Sequence, residues 1–318
     1  MERVTIGSTT VLVGERGGKY PSGNSVLIED DVTVLVDPST AVVAASGRVG
    51  DRPVDVVVNS HAHEDHFAGN YLFPDAALCL HERDAPAMAS LEALFDAYGL
   101  DEAAEAVFRP MVVEQYNFRP REDVRAVVDG ETLDLGRNRV RFLHTPGHTA
   151  GHLCVLFEPD GVLFTGDLDL TWFGPYYADA TASLEDTIAS LVRIRDLEGV
   201  QALVSFHEAG IVREDLSGCV QRYLDVVWER DAKLLEYLAE PHTLDEIAEQ
   251  CFVYRKRYEK IPWQLHAERV MMGRHAARLE RLGHVERVER DGEREVEREV
   301  ERDGERDGER DGDLWRAR

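Results

Sequence analysis

A formal charge of −25, from 61 acidic against 36 basic residues in a chain of 318, gives a surface that repels polyanions at low ionic strength. No apolar run approaches the eighteen or so residues needed to cross a bilayer, which argues against a membrane-spanning class. Four cysteines (Cys79, Cys154, Cys219, Cys251) lie far apart with no CxxC pair, which argues against a disulfide framework and a thiolate zinc site.

The length and the 43% hydrophobic content suit one large domain followed by a small one. The stretch "MERVTIGSTTVLVGERGG" alternates like a strand pair and lacks the cationic segment and apolar core of a signal peptide, so the expected location is cytoplasmic, with reduced cysteines in the core. Only four lysines occur (Lys19, Lys233, Lys256, Lys260). Abundant carboxylates with scarce lysine resemble adaptation to a high-salt cytoplasm, where screening makes such charge tolerable. An arginine-favouring, GC-rich genome is the alternative.

Along residues 1–212, short apolar runs alternate with turns and helical stretches. "NSVLIED" and "VTVLVDPST" read as a hairpin joined at Asp30-Asp31, and "VDVVVNS" as a strand buried on both faces. "RVRFLHT", "LCVLFEPDGVLFTGD" with its turn at Pro159-Asp160-Gly161, and "VQALVSFH" repeat the strand type. Helical periodicity marks "SLEALFDAYG", "AAEAVF" and "SLEDTIASLVRIRDLEG", the last capped by Ser183 and closed by Gly199. Strands first in pairs and then interleaved with helices predict a mixed α/β sandwich covered by helices.

Residues 213–299 differ in character. "CVQRYLDVVWERDAKLLEYLAE" reads as one long amphipathic helix broken by Pro241; Thr243 with Glu246 opens a second, and "AERVMMGRHAARLERLGHV" is a third, ending near Gly283. "VERVERDGEREVERE" places Asp291-Gly292 where a hairpin turns, and three helices plus a hairpin match a winged helix-turn-helix. Residues 300–318, with their "ERDG" units, read as a low-complexity disordered tail.

The chemistry concentrates in "SHAHEDHFAGN", directly after the buried run "VDVVVNS". His61 and His63, two apart on extended backbone, can point to one side, while Asp65 and His66 turn to a neighbouring point as a helix begins. Imidazole and carboxylate at this density suit Zn(II), and also Fe or Mn. Without a metal, so many desolvated polar groups together would be costly. Later strand ends supply His144, His148 and His152 from "FLHTPGHTAGH", Asp167 from "VLFTGDLDL" and His207 from "LVSFHEAG". His81 and His242 read as solvent-facing, and Glu64 as a solvated carboxylate.

HxHxDH, TPGHTxGH, TGD and a strand-terminal His, in that order, resemble the metallo-β-lactamase superfamily over residues 1 to about 210. The resemblance implies an αββα sandwich and two Zn(II) per chain: one on His61, His63 and His148, another on Asp65, His66 and His207, with Asp167 between them. It also implies that Asp37, ending "VTVLVD", lies beneath the site and orients a ligand; His144 and His152 read as hydrogen-bonding the loop or substrate rather than binding metal.

The implied chemistry is hydrolysis by a hydroxide bridging two metals, with Asp65 orienting it and accepting its proton. The family core serves glyoxalase II-like thioesterases, lactonases, β-lactamases and nucleases alike. A small ester or thioester is the first choice, with Trp172, Phe173, Tyr176 and Tyr177 placed to line a pocket mouth. Nine basic against four acidic residues over 252–288 keep a single-strand endoribonuclease aided by the winged helix open as an alternative. Docking or intrahelical pairing would explain the same charge. A mononuclear iron persulfide dioxygenase would use a subset of the ligands. A homodimer is among the assemblies left open.

Overall fold

The computed structural model describes residues 1–208, 210–258, 261, 263–288 and 314–318. The described residues divide into two compact units, 1–226 and 227–318.

In the first unit, one sheet runs in sequence order through β1 (Glu2–Ile6), β2 (Thr9–Val13), β3 (Ser25–Ile28), β4 (Val34–Val36), β5 (Val56–Val58), β6 (Ala77–His81) and β7 (Arg125–Val127). Its first four strands pair antiparallel and the last four parallel. The expected hairpin is β3–β4, with Val26 opposite Val36 and Ile28 opposite Val34. The second sheet comprises β8 (Thr132–Asp134), β9 (Arg139–His144), β10 (Leu153–Glu158), β11 (Val162–Phe164), β12 (Ala202–Val204) and β13 (Ile211–Val212), in spatial order 13-12-11-10-9-8. Only β11 and β12 pair parallel there.

Because strand side chains alternate between faces, Val26, Ile28, Val34 and Val36 point into a core shared with Phe142, Val155, Phe157, Phe164 and Phe206 of the other sheet. Leu27 and Leu35 point the opposite way, onto Val42 of α1 (Thr40–Ala44). The apolar run around Val56–Val58 is continuous because β5 is central and buried. Further helices are α2 (Glu64–Phe67), α3 (Leu91–Tyr98), α4 (Glu102–Glu114) and α5 (Leu184–Arg195). Ser90, Asp101 and Ser183 cap the last three through their side chains. Two carboxylates tie the sheets' turns together: Asp160 accepts from Ser8 and Thr9, and Asp30 from Arg137 and Asn138.

The division into units falls inside α6 (Leu216–Tyr237), rather than at the expected 212. The second unit continues with α7 (Leu244–Glu249), opened by the expected Thr243–Glu246 capping box, and α8 (Gln264–Arg281). Two expectations are corrected. β14 (Val285–Val288) pairs antiparallel with β15 (Leu314–Ala317), so its partner is the end of the chain; the turn expected at Asp291-Gly292 lies outside the described residues. Of the expected tail, residues 300–313 lie outside the described residues, whereas 314–318 are ordered: Trp315 is buried at 1% exposure under the Arg287 guanidinium. A single Trp in a long acidic and basic repeat is invisible to composition yet supplies the apolar area that seats the strand. His242 is half-buried, stacked on Tyr237.

Candidate metal centre

Parallel pairing of β4 with β5 and of β11 with β12, and the shared direction of β9 and β11 against β10, bring the C-terminal ends of five strands to one edge of the sandwich. All the expected ligands leave from that edge. Ligand atoms of His61, His63, His148 and Asp167 lie within 4.8 Å of one another, and those of Asp65, His66 and His207 form a second group of the same tightness. His148 Nε2 is 3.2 Å from His61 Nε2 and 3.1 Å from His63 Nδ1. Asp167 stands between the groups: Oδ2 is 3.4 Å from His148 Nε2, and Oδ1 is 2.9 Å from His66 Nε2 and 3.8 Å from His207 Nε2.

Each imidazole is oriented by its other nitrogen, which presents the opposite lone pair to the centre. Asp179 takes His63 Nε2 at 2.5 Å, Asp37 takes His66 Nδ1 at 2.7 Å, the Tyr176 carbonyl His148 Nδ1 at 2.9 Å and the Gly18 carbonyl His207 Nδ1 at 3.0 Å. Ser60 Oγ, donating to Asp37, is 3.0 Å from His61 Nδ1. Asp37 thus holds the His66 ring, at a φ of 47°. His152 links Thr145 to the backbone N–H of Asp167, and His144 Nε2 bonds the Ala150 carbonyl. Both brace the loop that carries His148.

The donor set fits a cation. Asp65 Oδ2, His66 Nε2 and Asp167 Oδ1 are buried without a hydrogen-bond partner among the described residues, an arrangement that costs free energy unless something fills it. Electrostatics point the same way. Burial and the neighbouring imidazoles His66, His63 and His148 hold His61 neutral, well below the ordinary range. Burial would depress His63 and His207 too, but Asp179 lifts the first to about 9, and Asp167 with Asp169 the second to about 10. His66 is raised well above its ordinary value against burial by Asp167 and Asp37. The carboxylates therefore draw positive charge into the site.

Three expectations change. Glu64 is not solvated: it is buried, accepting the Tyr98 hydroxyl at 2.8 Å and the Tyr20 hydroxyl at 3.2 Å, and burial together with the Asp65 charge raises it to about 7. His81 is buried and stacked on His144. Tyr177 is fully buried and packs rather than lining a mouth, whereas Trp172 is 56% exposed and Phe173 and Tyr176 are intermediate. Sequence reading missed Asp179 and Asp84. Asp84 bridges the two histidine loops, accepting from Ala62 N, Thr149 Oγ1 and Gly151 N. Neither lies in a motif; only the fold brings them in.

A family model described as the metallo-beta-lactamase superfamily matches residues 19–200. A metallo-beta-lactamase family protein from Thermus thermophilus has the same fold, with a TM-score of 0.69 over 98% of this chain and 99% of that one at 23% identity. A hydroxyacylglutathione hydrolase of Acidiphilium cryptum is 32% identical over 181 residues, 55% of this chain and 51% of that protein. An atrochrysone carboxyl ACP thioesterase of Aspergillus fumigatus is 27% identical over 120 residues, 38% of this chain and 36% of that protein. The chain thus spans about half the length, or less, of these two curated relatives.

Proposed function

The chain belongs to the metallo-beta-lactamase superfamily, and from that premise we propose that it is a metal-dependent hydrolase acting on a small ester or thioester. The observation that carries the proposal is Asp167, whose two oxygens face the two ligand groups separately. The proposal gives one cation, zinc in the first instance, to His61, His63 and His148, a second to Asp65, His66 and His207, and both to Asp167. When bound, such cations bring the pKa of a water towards neutrality and polarise an acyl carbonyl.

The chain's own part is orientation and proton handling. The proposal has Asp65, whose Oδ2 is 3.1 Å from His207 Nε2, receive the proton of the attacking water. The hydrogen bonds that the imidazoles donate to Asp37, Asp179 and the Tyr176 and Gly18 carbonyls hold them rigid, so little reorganisation remains for the reaction. The proposal gives the acyl group the apolar surface of Trp172, Phe173 and Tyr176, the last with its ring 5.9 Å from that of His148. The names of the two curated relatives, a hydroxyacylglutathione hydrolase and an ACP thioesterase, favour a thioester.

For the second unit we propose a winged-helix-like arrangement, supported by its helices and the β14–β15 pair. Its basic residues engage internal partners: Arg269 pairs with Asp245, Arg278 with Asp231 and Arg287 with Glu280. That pairing supports a structural role over an RNA-binding one; Lys260 lies outside the described residues.

The test is metal analysis of protein purified in high salt, followed by assays on a thioester panel and on single-stranded RNA. About two zinc per chain and thioester turnover are expected, both lost in His61→Ala and Asp167→Ala. Retained activity in both variants defeats the proposal, one iron with oxygen consumption replaces it with oxidation, and RNA cleavage lost with His61 replaces the substrate.

A further inference from the structure

Glu64 lies in the chain between His63 and Asp65, one residue from each ligand group, and its carboxylate accepts from two tyrosines, one of which meets a third. Its Oε2 accepts the Tyr98 hydroxyl at 2.8 Å and its Oε1 the Tyr20 hydroxyl at 3.2 Å; Tyr20 and Tyr116 hydroxyls are 3.0 Å apart. With Tyr116 donating to Tyr20 and Tyr20 to Glu64, each hydroxyl proton in the chain has an acceptor.

The two phenols that Glu64 holds each pack on a ligand from a different group. The Tyr98 ring lies 5.2 Å from that of His63, and the Tyr20 ring 5.9 Å from that of His207. Each tyrosine also stands close, by hydrogen bond or along the chain, to the group that orients its imidazole. The Tyr98 carbonyl accepts from Ala180 N at 3.0 Å, next to Asp179, which bonds His63. Tyr20 stands on the same loop as Gly18, whose carbonyl takes His207 Nδ1. Gly18 has a φ of 83° and a Cβ there would strike the Asn24 side chain, so the position that presents this carbonyl to His207 calls for glycine.

We propose that Glu64 is a positioning residue that couples the two ligand groups, seating Tyr98 with Asp179 against His63 and Tyr20 with Gly18 against His207. This rests on the metal-centre reading above. Its loss loosens both groups together, whereas loss of either hydroxyl loosens one. Glu64 is itself buried, so withdrawing either phenol leaves part of its carboxylate unsatisfied at a cost in free energy.

The test titrates the metal-free full chain with cobalt(II) alone, reading visible absorption and bound metal by equilibrium dialysis, with thermal unfolding alongside. Partners of metal ligands set affinity by about 10–100-fold, and an effect transmitted through one further residue should reach the lower end, about tenfold. Glu64→Ala is expected to weaken both binding steps by about that factor and to change both absorption bands. Tyr98→Phe should weaken one step and Tyr20→Phe the other. Glu64→Gln, which still accepts through its amide oxygen, should recover part of the affinity. If Glu64→Ala folds poorly, Tyr20→Phe/Tyr98→Phe together carry the same expectation with less disturbance. The proposal is overturned if Glu64→Ala and the double tyrosine variant bind cobalt within about twofold of wild type, even with a lowered unfolding temperature, since that pattern means packing alone. A wild-type chain that takes up no cobalt overturns both this inference and the reading beneath it, so the two failures are distinguishable.

Discussion

The imidazoles of His81 and His144 stack face to face, 3.9 Å between centroids and 9° between planes, where the end of β6 meets the end of β9. Burial first, then the facing His144 and the nearby Arg83, push His81 down to about 4, against a smaller opposing effect of Asp129. Between pH 4 and 6.5 the unfolded chain therefore binds more protons than the folded one at this residue, so stability rises with pH across that window. The unfolding midpoint should fall as pH is lowered from 7 towards 4.5, and His81→Phe should flatten that fall. An unchanged slope in the variant would assign the effect elsewhere.

Asp30 behaves in the opposite chemical sense with the same direction. Although burial opposes it, hydrogen bonds from Asn138 and Arg137 hold its carboxyl at about 2 instead of 3.8. Its contribution is complete above pH 3.8 and is lost as pH falls towards 2. Asp30→Asn should lower the urea midpoint at pH 7 and narrow the gap between variant and wild type as pH approaches 2.

Asp179→Asn removes the charge that faces His63 Nε2 at 2.5 Å. A weaker acceptor makes the ligand nitrogen less basic and its tautomer less defined, so metal affinity should fall by about 10–100-fold in competition with a chromophoric chelator. The unfolding temperature of the metal-free chain should move much less than the affinity.

Metal uptake should release protons. His63 and His207, held at about 9 and about 10 by their carboxylate neighbours, must surrender a proton to act as ligands. Apparent cobalt affinity should therefore strengthen from pH 6 to 9, with acidification visible in a weakly buffered indicator solution. A pH-independent affinity would contradict the assignment of these two imidazoles.

Gly23→Ala tests the packing behind the site. A Cβ there would run into the ring of Phe206, which stacks on His66 with centroids 3.6 Å apart. Overpacking of this kind costs about 1–3 kcal/mol. A lower unfolding temperature together with weaker metal binding is the expected result, because the displaced ring bears on a ligand.

Legibility in the sequence followed the range of the interaction. The strands and the capping box at Thr243 depend on neighbours a few residues away, and there the reading and the structure agree; the histidines and aspartates at strand ends are side chains that the fold gathers into two groups. Glu64 and His81 went astray because what covers them comes from Tyr98, Tyr20 and His144, each far along the chain. Trp315 was lost inside a window dominated by charge.

By itself, then, the order of residues determined which side chains end each strand, because period-two alternation and turn chemistry are local properties. Tertiary structure alone decided that Asp179 would meet His63 across 116 positions, that one carboxylate would face two ligand groups, and that β14 would find its partner at Leu314–Ala317. Such pairings arise when two sheets pack and their edges coincide, a matter of shape and burial over the whole domain that no short stretch of chain encodes.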